Sequence, residues 1–145
     1  MPKIFLIDDD PLYHELAHLM IKENMLFDNF ISYTKAELAL EYLIKHKDNP
    51  ESLPDLILLD LNMPEMDGWN FICLYEDLLP VLKKRINVFI VTSSIDQRDE
   101  VRSMAYPFIR GFYSKPITIE ALFDIAYFIT VNSTKSDSLK MLDQF

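Results

Sequence analysis

The sequence predicts an α/β sandwich on a five-stranded parallel sheet in the order 2-1-3-4-5. Short apolar runs alternate with helical patterns along the 145 residues, as helices on both faces of a parallel sheet require. The third run, Asp55–Leu59, is apolar at every position after its first, as a strand buried on both faces must be. Acidic and other polar residues fall just after four of the runs. Right-handed crossovers keep the topology simple. The reversal of strand order beside the first strand leaves a crevice at the strands' carboxyl ends.

The elements follow in order. Lys3-Ile4-Phe5-Leu6-Ile7 is the first strand, and Asp8, Asp9 and Asp10 follow it. Pro11 suits the first turn of a helix, where its missing N–H has no partner to lose. Leu12, Leu16, Leu19 and Met20 then recur at helical spacing. Residues 28–33 form a short second strand around Phe30-Ile31. Thr34 with Glu37 fits a capping box, and Ala36, Ala39, Leu40, Leu43 and Ile44 form the buried face of a second helix. Asn49-Pro50 and Leu53-Pro54 break the chain before the third strand. The loop Asn62-Met63-Pro64-Glu65-Met66 leads through Asp67-Gly68 to a third helix from Trp69, which Pro80 kinks or ends. Val88–Val91 is the fourth strand. Ile95 to Met104 is a charged, weakly amphipathic fourth helix, and Ile109–Tyr113 is the fifth strand. Thr118-Ile119-Glu120-Ala121 begins the last helix, which carries Leu122, Ile125, Ala126 and Ile129. Residues 132–145 are richer in Ser, Lys and Asp and read as a tail, with a short amphipathic turn at Leu139–Leu142.

Composition narrows the function. The formal net charge of -9 leaves no basic excess to release counterions, so a nucleic-acid partner is disfavoured. An anionic membrane surface is disfavoured for the same reason. Cys73 is the only cysteine, so no intrachain disulfide forms. With no signal peptide and no run of membrane-spanning length, the expected place is cytoplasmic. Gly68 and Gly111 are the only two glycines, which excludes a glycine-rich phosphate loop.

If the runs are parallel strands, Asp8, Asp9, Asp60, Thr92 and Lys115 emerge at one edge of the sheet. Carboxylates gathered there repel; a pair at roughly 4 Å and an effective dielectric near 20 costs about 4 kcal/mol. A hard divalent cation such as Mg²⁺, with oxygen ligands, would offset that. Lys115, arriving from another strand, would help. Asp60 is then a possible nucleophile, since carboxylates form acyl phosphates. Phosphoryl transfer needs mainly positioning and charge neutralisation, which a metal, Lys115 and the Thr92 hydroxyl would supply.

The residues that carry this pattern are Phe5-Leu6-Ile7-Asp8-Asp9-Asp10, then Leu59-Asp60-Leu61-Asn62-Met63-Pro64-Glu65-Met66-Asp67-Gly68, then Val91-Thr92-Ser93-Ser94, then Ser114-Lys115-Pro116. In these blocks the chain resembles the receiver domain of two-component response regulators, from residue 3 to about 130. The resemblance implies a flavodoxin-like (βα)5 fold. It implies that Asp60 takes a phosphoryl group from a histidine kinase or phosphotransfer protein. Asp9 and Asp60 would bind Mg²⁺ through their side chains, Asp8 mostly through water, and the Asn62 backbone carbonyl would be a further ligand. Thr92 would move to the phosphoryl group, Lys115 would pair with it, and Phe112 would be the switch aromatic. Lys115-Pro116 would be cis. Phe112 stands where tyrosine is commoner, and Tyr113 beside it points to the other sheet face.

The implied protein is a signalling protein rather than an enzyme, limited to self-catalysed phosphotransfer and autodephosphorylation. A receiver over residues 1–131 is followed by a tail, 132–145, and no output domain. The downstream protein partner would dock on the face of the fourth helix, fifth strand and fifth helix, which Arg98 and Arg102 border. A Mg²⁺-dependent phosphohydrolase is the enzymatic alternative. It needs an acid/base carboxylate two residues after its nucleophile, where this chain has Asn62.

His14-Glu15-Leu16-Ala17-His18 matches the zinc-peptidase pattern. The acid triplet already explains that segment, only His46 remains as a third histidine, and the match is read as coincidence. Trp69 and Phe71 are read as helix core or edge residues, and Cys73 as a buried helical thiol.

Overall fold

A computed structural model of the chain describes residues 2–27 and 29–142, with side chains as far as residue 132. Its elements are β1 (Lys3–Ile7), α1 (Pro11–Glu23), β2 (Asn29–Tyr33), α2 (Ala36–Lys45), β3 (Leu56–Leu59), α3 (Gly68–Leu78), β4 (Asn87–Thr92), α4 (Gln97–Ser103), β5 (Ile109–Ser114) and α5 (Ile119–Leu142). Five parallel strands lie in the order β2-β1-β3-β4-β5, as the alternating pattern predicts. Residue 28, the first of the expected second strand, lies outside the described residues.

All four residues of β3 are fully buried. Their alternating side chains feed two apolar layers. Ile57 and Leu59 join α2 and α3 on one face, with Ala39, Leu43, Phe71 and Tyr75. Leu56 and Leu58 join α1 and α5 on the other, with Ala17, Ile21, Leu122 and Ile125. Each of the leucine, isoleucine and phenylalanine side chains among them contributes roughly 1.5–3 kcal/mol on burial. Phe112 packs on the first layer and Tyr113 on the second, so they do point to opposite faces.

Several local expectations are corrected. The buried residues of α1 are Tyr13, His14, Ala17 and Ile21, while Leu12, Leu16 and Leu19 are exposed. Both sets obey helical spacing, so periodicity alone does not say which faces inward. Helix α2 starts one residue later than a Thr34 cap requires. Lys35 stands at its N-cap without a side-chain hydrogen bond, the capping box is absent, and Ile44 is exposed. Helix α3 begins at Gly68, with a reciprocal capping box between Asp67 and Asn70, and ends before Pro80. Helix α4 is shorter than expected; Asp96 caps it, and only Ser103 within it is buried. Cys73 is exposed. The segment read as a tail continues α5 as helix to Leu142. No Gly or Pro after Pro116 stops it, and polarity alone does not separate an exposed helix from a tail. The amphipathic turn at Leu139–Leu142 concerns side chains outside the described ones.

Gly68 fixes the close approach of α3 to the end of β3. A Cβ there would stand 2.6 Å from the Asp60 carbonyl oxygen and 2.7 Å from Leu61 Cα. Both are backbone atoms that cannot yield independently. Gly68→Ala is expected to destabilise the protein by about 1–3 kcal/mol, measured as a lower urea midpoint at unchanged slope. An unchanged midpoint would mean that the loop after β3 relaxes freely.

Candidate functional site

The sheet's carboxyl edge is extended by single backbone bonds just beyond the strands. Asp8 N–H donates to Tyr33 O at 3.0 Å, Asp60 N–H to Ile7 O at 3.0 Å and Lys115 N–H to Thr92 O at 2.9 Å. These bonds hold the first residue after β1, β3 and β5 in line with its strand. The structure thereby brings Asp8, Asp9, Asp60, Thr92 and Lys115 to one edge.

The acids gather tightly. Carboxylate oxygens of Asp8, Asp9 and Asp60 all lie within 4.8 Å of one another. Asp8 and Asp60 are buried and Asp9 is exposed. Lys115 Nζ lies 2.6 Å from Asp8 Oδ2 and 3.0 Å from Asp60 Oδ2. The ring of Tyr13 stands under the same ammonium, its centroid 4.6 Å from Nζ. The Lys115–Pro116 peptide bond is cis, as the resemblance implies.

The backbone holds the acids in place. Asp8 Oδ1 accepts from Asp10 N–H at 2.9 Å, and Asp60 Oδ1 from Asn62 N–H at 3.2 Å. Asp10 caps α1 by accepting from Leu12 N–H at 3.0 Å, so it serves the helix rather than the pocket. Thr92 is fully buried, and its Oγ1 accepts from Ser94 N–H at 3.2 Å and Asn62 Nδ2 at 3.4 Å.

Charge and burial oppose one another here. Burial pushes the Asp8 carboxyl above its ordinary range and the Asp60 charge adds to this; the Lys115 ammonium and the Asp10 amide pull the other way without cancelling it. Burial lowers the Lys115 ammonium, but its bonds to Asp8 and Asp60 outweigh that and hold it above its ordinary value. The asymmetry has a simple cause. Lys115 faces both carboxylates, whereas Asp8 shares that cation with Asp60.

Three oxygen-bearing acids around one point suit a hard cation such as Mg²⁺. Asp8, Asp9 and Asp60 are placed to hold one. The histidine pair is not a metal site. His14 is buried with Nε2 2.6 Å from the Asp8 carbonyl oxygen, so Nε2 donates there, while His18 packs on Phe30 with ring centroids 5.1 Å apart. Among the described residues, no histidine joins a cluster able to hold a metal.

Sequence reasoning missed Tyr13 and a polar chain leading away from Thr92. Ser94 Oγ donates to Asp99 Oδ2 at 2.6 Å, and Trp69 Nε1 donates to Asp99 Oδ1 at 3.0 Å. The Arg102 guanidinium lies 4.2 Å from the Trp69 ring centroid, in cation–π range. Trp69 is thus a tie between α3 and α4 as well as an edge of the core. A depression of about 210 Å³ lies beside Phe112, lined also by Ser94, Ile95, Glu100 and Ser114. A larger one, about 470 Å³, lies around Arg85, Phe108 and Arg110 at the amino ends of β4 and β5, away from the acids.

Comparisons with known proteins agree with this geometry. The family model of the response regulator receiver domain matches residues 4–127. The chain is 32% identical over 122 residues to the two-component response regulator ARR22 of Arabidopsis thaliana, covering 84% of this chain and 79% of that one. It is 28% identical over 127 residues to the probable methanogenesis regulatory protein FilR2 of Methanothrix harundinacea, covering 83% and 77%. A solved two-component response regulator from Cytophaga hutchinsonii superposes with a TM-score of 0.77 at 28% identity, covering 88% of this chain and 96% of that one.

The raised Asp8 value has a definite sign. Folded Asp8 holds its proton more tightly than the unfolded chain does. Its contribution therefore favours folding below the ordinary carboxylate range and is lost as pH rises through the raised value. Asp8→Asn is expected to raise the Tm of metal-free protein at pH 7 by roughly 2–5 °C, with the gain shrinking toward acid pH. A Tm equal to the wild type at pH 7 would show that Lys115 fully compensates the buried charge.

Proposed function

Because this chain belongs to the response regulator receiver domain family, we propose that it acts as a phosphorylation switch. An Asp60 oxygen attacks the phosphorus of a phosphohistidine on a histidine kinase or phosphotransfer protein. The P–N bond breaks, an acyl phosphate forms, and the donor imidazole leaves with the electron pair. The observation that carries this reading is the Asp60 carboxylate, buried at the end of β3 with Lys115 Nζ 3.0 Å away and two further acids beside it.

Each neighbour has a role. Lys115 balances charge as the phosphoryl group arrives. Asp8, Asp9, Asp60 and the Asn62 carbonyl would hold Mg²⁺, which supplies charge neutralisation for the transferring oxygens. Asn62 also supports a switch over a phosphohydrolase, since an amide cannot serve as the acid/base such an enzyme needs. A cytoplasmic place fits the lone cysteine, and among the described residues no helix is long and apolar enough to cross a membrane.

Phosphorylation replaces the single negative charge of the Asp60 carboxylate with a phosphoryl group that carries about -1.5 to -2, and it brings strong acceptor oxygens. Those oxygens compete for the Thr92 hydroxyl. Turning it toward Asp60 gives up its role as acceptor for Ser94 N–H, and Ser94 is joined through Asp99 to Trp69. The depression beside Phe112 offers that ring room to shift. A downstream protein partner would read the change on the face of α4, β5 and α5.

Two measurements test this. With acetyl phosphate and Mg²⁺ the wild type should gain one acid-stable, hydroxylamine-labile phosphoryl group. Asp60→Asn should gain none, and Lys115→Ala should label roughly 10²-fold more slowly. Equal labelling of Asp60→Asn would sink the assignment. Trp69, the only tryptophan, should change its emission on phosphorylation of the wild type but not of Asp60→Asn. An emission that stays constant in fully labelled protein would cut the proposed path from Thr92 to α4.

A further inference from the structure

The Lys115 ammonium has three protons to place. Asp60 Oδ2 accepts one of them at 3.0 Å, and Asp8 Oδ2 forms an ion pair with the same ammonium at 2.6 Å. The Tyr13 ring face, 4.6 Å from Nζ, lies within the range where a ring attracts a cation. The ring is 8% exposed and belongs to the apolar layer between the sheet, α1 and α5. Its place is fixed from both sides. The Asp10 cap starts the helix two residues upstream of Leu12, and His14 Nε2 ties the next residue to the Asp8 carbonyl. The phenol oxygen is buried without a hydrogen-bond partner among the described residues. The ring face, not the hydroxyl, is therefore what Tyr13 offers the pocket in this state.

We propose that Tyr13 is a positioning residue for phosphoryl transfer, whose ring face keeps the Lys115 ammonium between Asp8 and Asp60. Lysine is a strongly hydrated point charge on a flexible four-carbon stem. Without the ring it gains freedom to turn to solvent, and each transfer must first bring it back. With the ring, the cation already stands where the phosphoryl charge will develop, which is the arrangement that lowers a barrier without reorganisation. The inference rests on Asp60 as the phosphoacceptor.

A double-mutant cycle tests it, with wild type, Tyr13→Leu, Lys115→Ala and the double variant. In labelling by acetyl phosphate and Mg²⁺, Tyr13→Leu should slow the wild type about fivefold and leave the Lys115→Ala background unaltered. Tyr13→Phe, which retains the ring, should recover the rate to within about twofold. The same four proteins, unfolded thermally without metal, should show non-additive Tm changes, and this arm decides the coupling where labelling of Lys115→Ala is too slow to measure. Equal losses in both backgrounds would reduce Tyr13 to general packing and overturn the proposal. So would an unslowed Tyr13→Leu, or a Tyr13→Phe as slow as Tyr13→Leu. Failure of the wild type to label at all would instead strike the Asp60 assignment.

Discussion

One ammonium against buried acids is the constraint on which the rest depends. Asp8 and Asp60 are both buried, and Lys115 is the cation that faces them both. Removing the ammonium would leave two buried carboxylates without their cation, a loss of the kind that costs about 3–5 kcal/mol. The sheet order makes the bridge possible. β4 lies between β3 and β5, so the two flanking strands are separated by roughly 9–10 Å, and a long side chain is needed to cross. The fully buried Leu56–Leu59 run fixes the height at which Asp60 emerges, and Gly68 lets α3 press against that same point. The fold holds one carboxylate still and brings everything else to it.

Strands were legible in the sequence because burial on both faces leaves little freedom in composition. Leu56-Ile57-Leu58-Leu59 could hardly be anything but a central strand, and the polar residues after four of the five runs pointed to the sheet edge where the acids gather. Helix faces were less legible. In α1 an outward set of leucines competes with an inward set containing a tyrosine and a histidine, and the hydrophobic scale ranks the wrong set first. Helix α2 misled for a different reason. Thr34 and Glu37 have the right spacing for a capping box, but the helix starts one residue too late to use it. At the other end of the chain, serine and lysine between residues 132 and 142 suggested a tail, although nothing there forbids helix.

Tyr13, Ser94, Asp99 and Trp69 were illegible as site residues for a physical reason. Each acts through another side chain rather than on the reacting centre, and such pairs join positions far apart in sequence. Trp69 and Asp99 are 30 residues apart, and Tyr13 meets Lys115 only because α1 and β5 converge on one edge. The histidine pair shows the converse. His14 and His18 have a metal-site spacing, yet one is spent on a backbone carbonyl and the other on an aromatic ring. Spacing within one helix is visible in a sequence, whereas a partner on another element is not.

The same division between core and periphery bears on how a charge at Asp60 could be felt elsewhere. A close-packed interior resists gradual deformation, and β3 and β4 are buried almost throughout. Movement must leave the pocket through groups held by polar contacts. Helix α4 is held that way. It buries only Ser103, while Val101 and the adjoining Met104 are exposed, so apolar packing contributes little to its position. Its firmest ties run from Asp99 to Ser94 and Trp69, and from Arg102 to the Trp69 ring. Hydrogen bonds of this kind are each worth about 0.5–1.5 kcal/mol net, somewhat more where a charged group takes part. A change at Thr92 that alters even one of them is therefore comparable with what holds the helix in place. An element anchored by an apolar face would not respond to so small a difference.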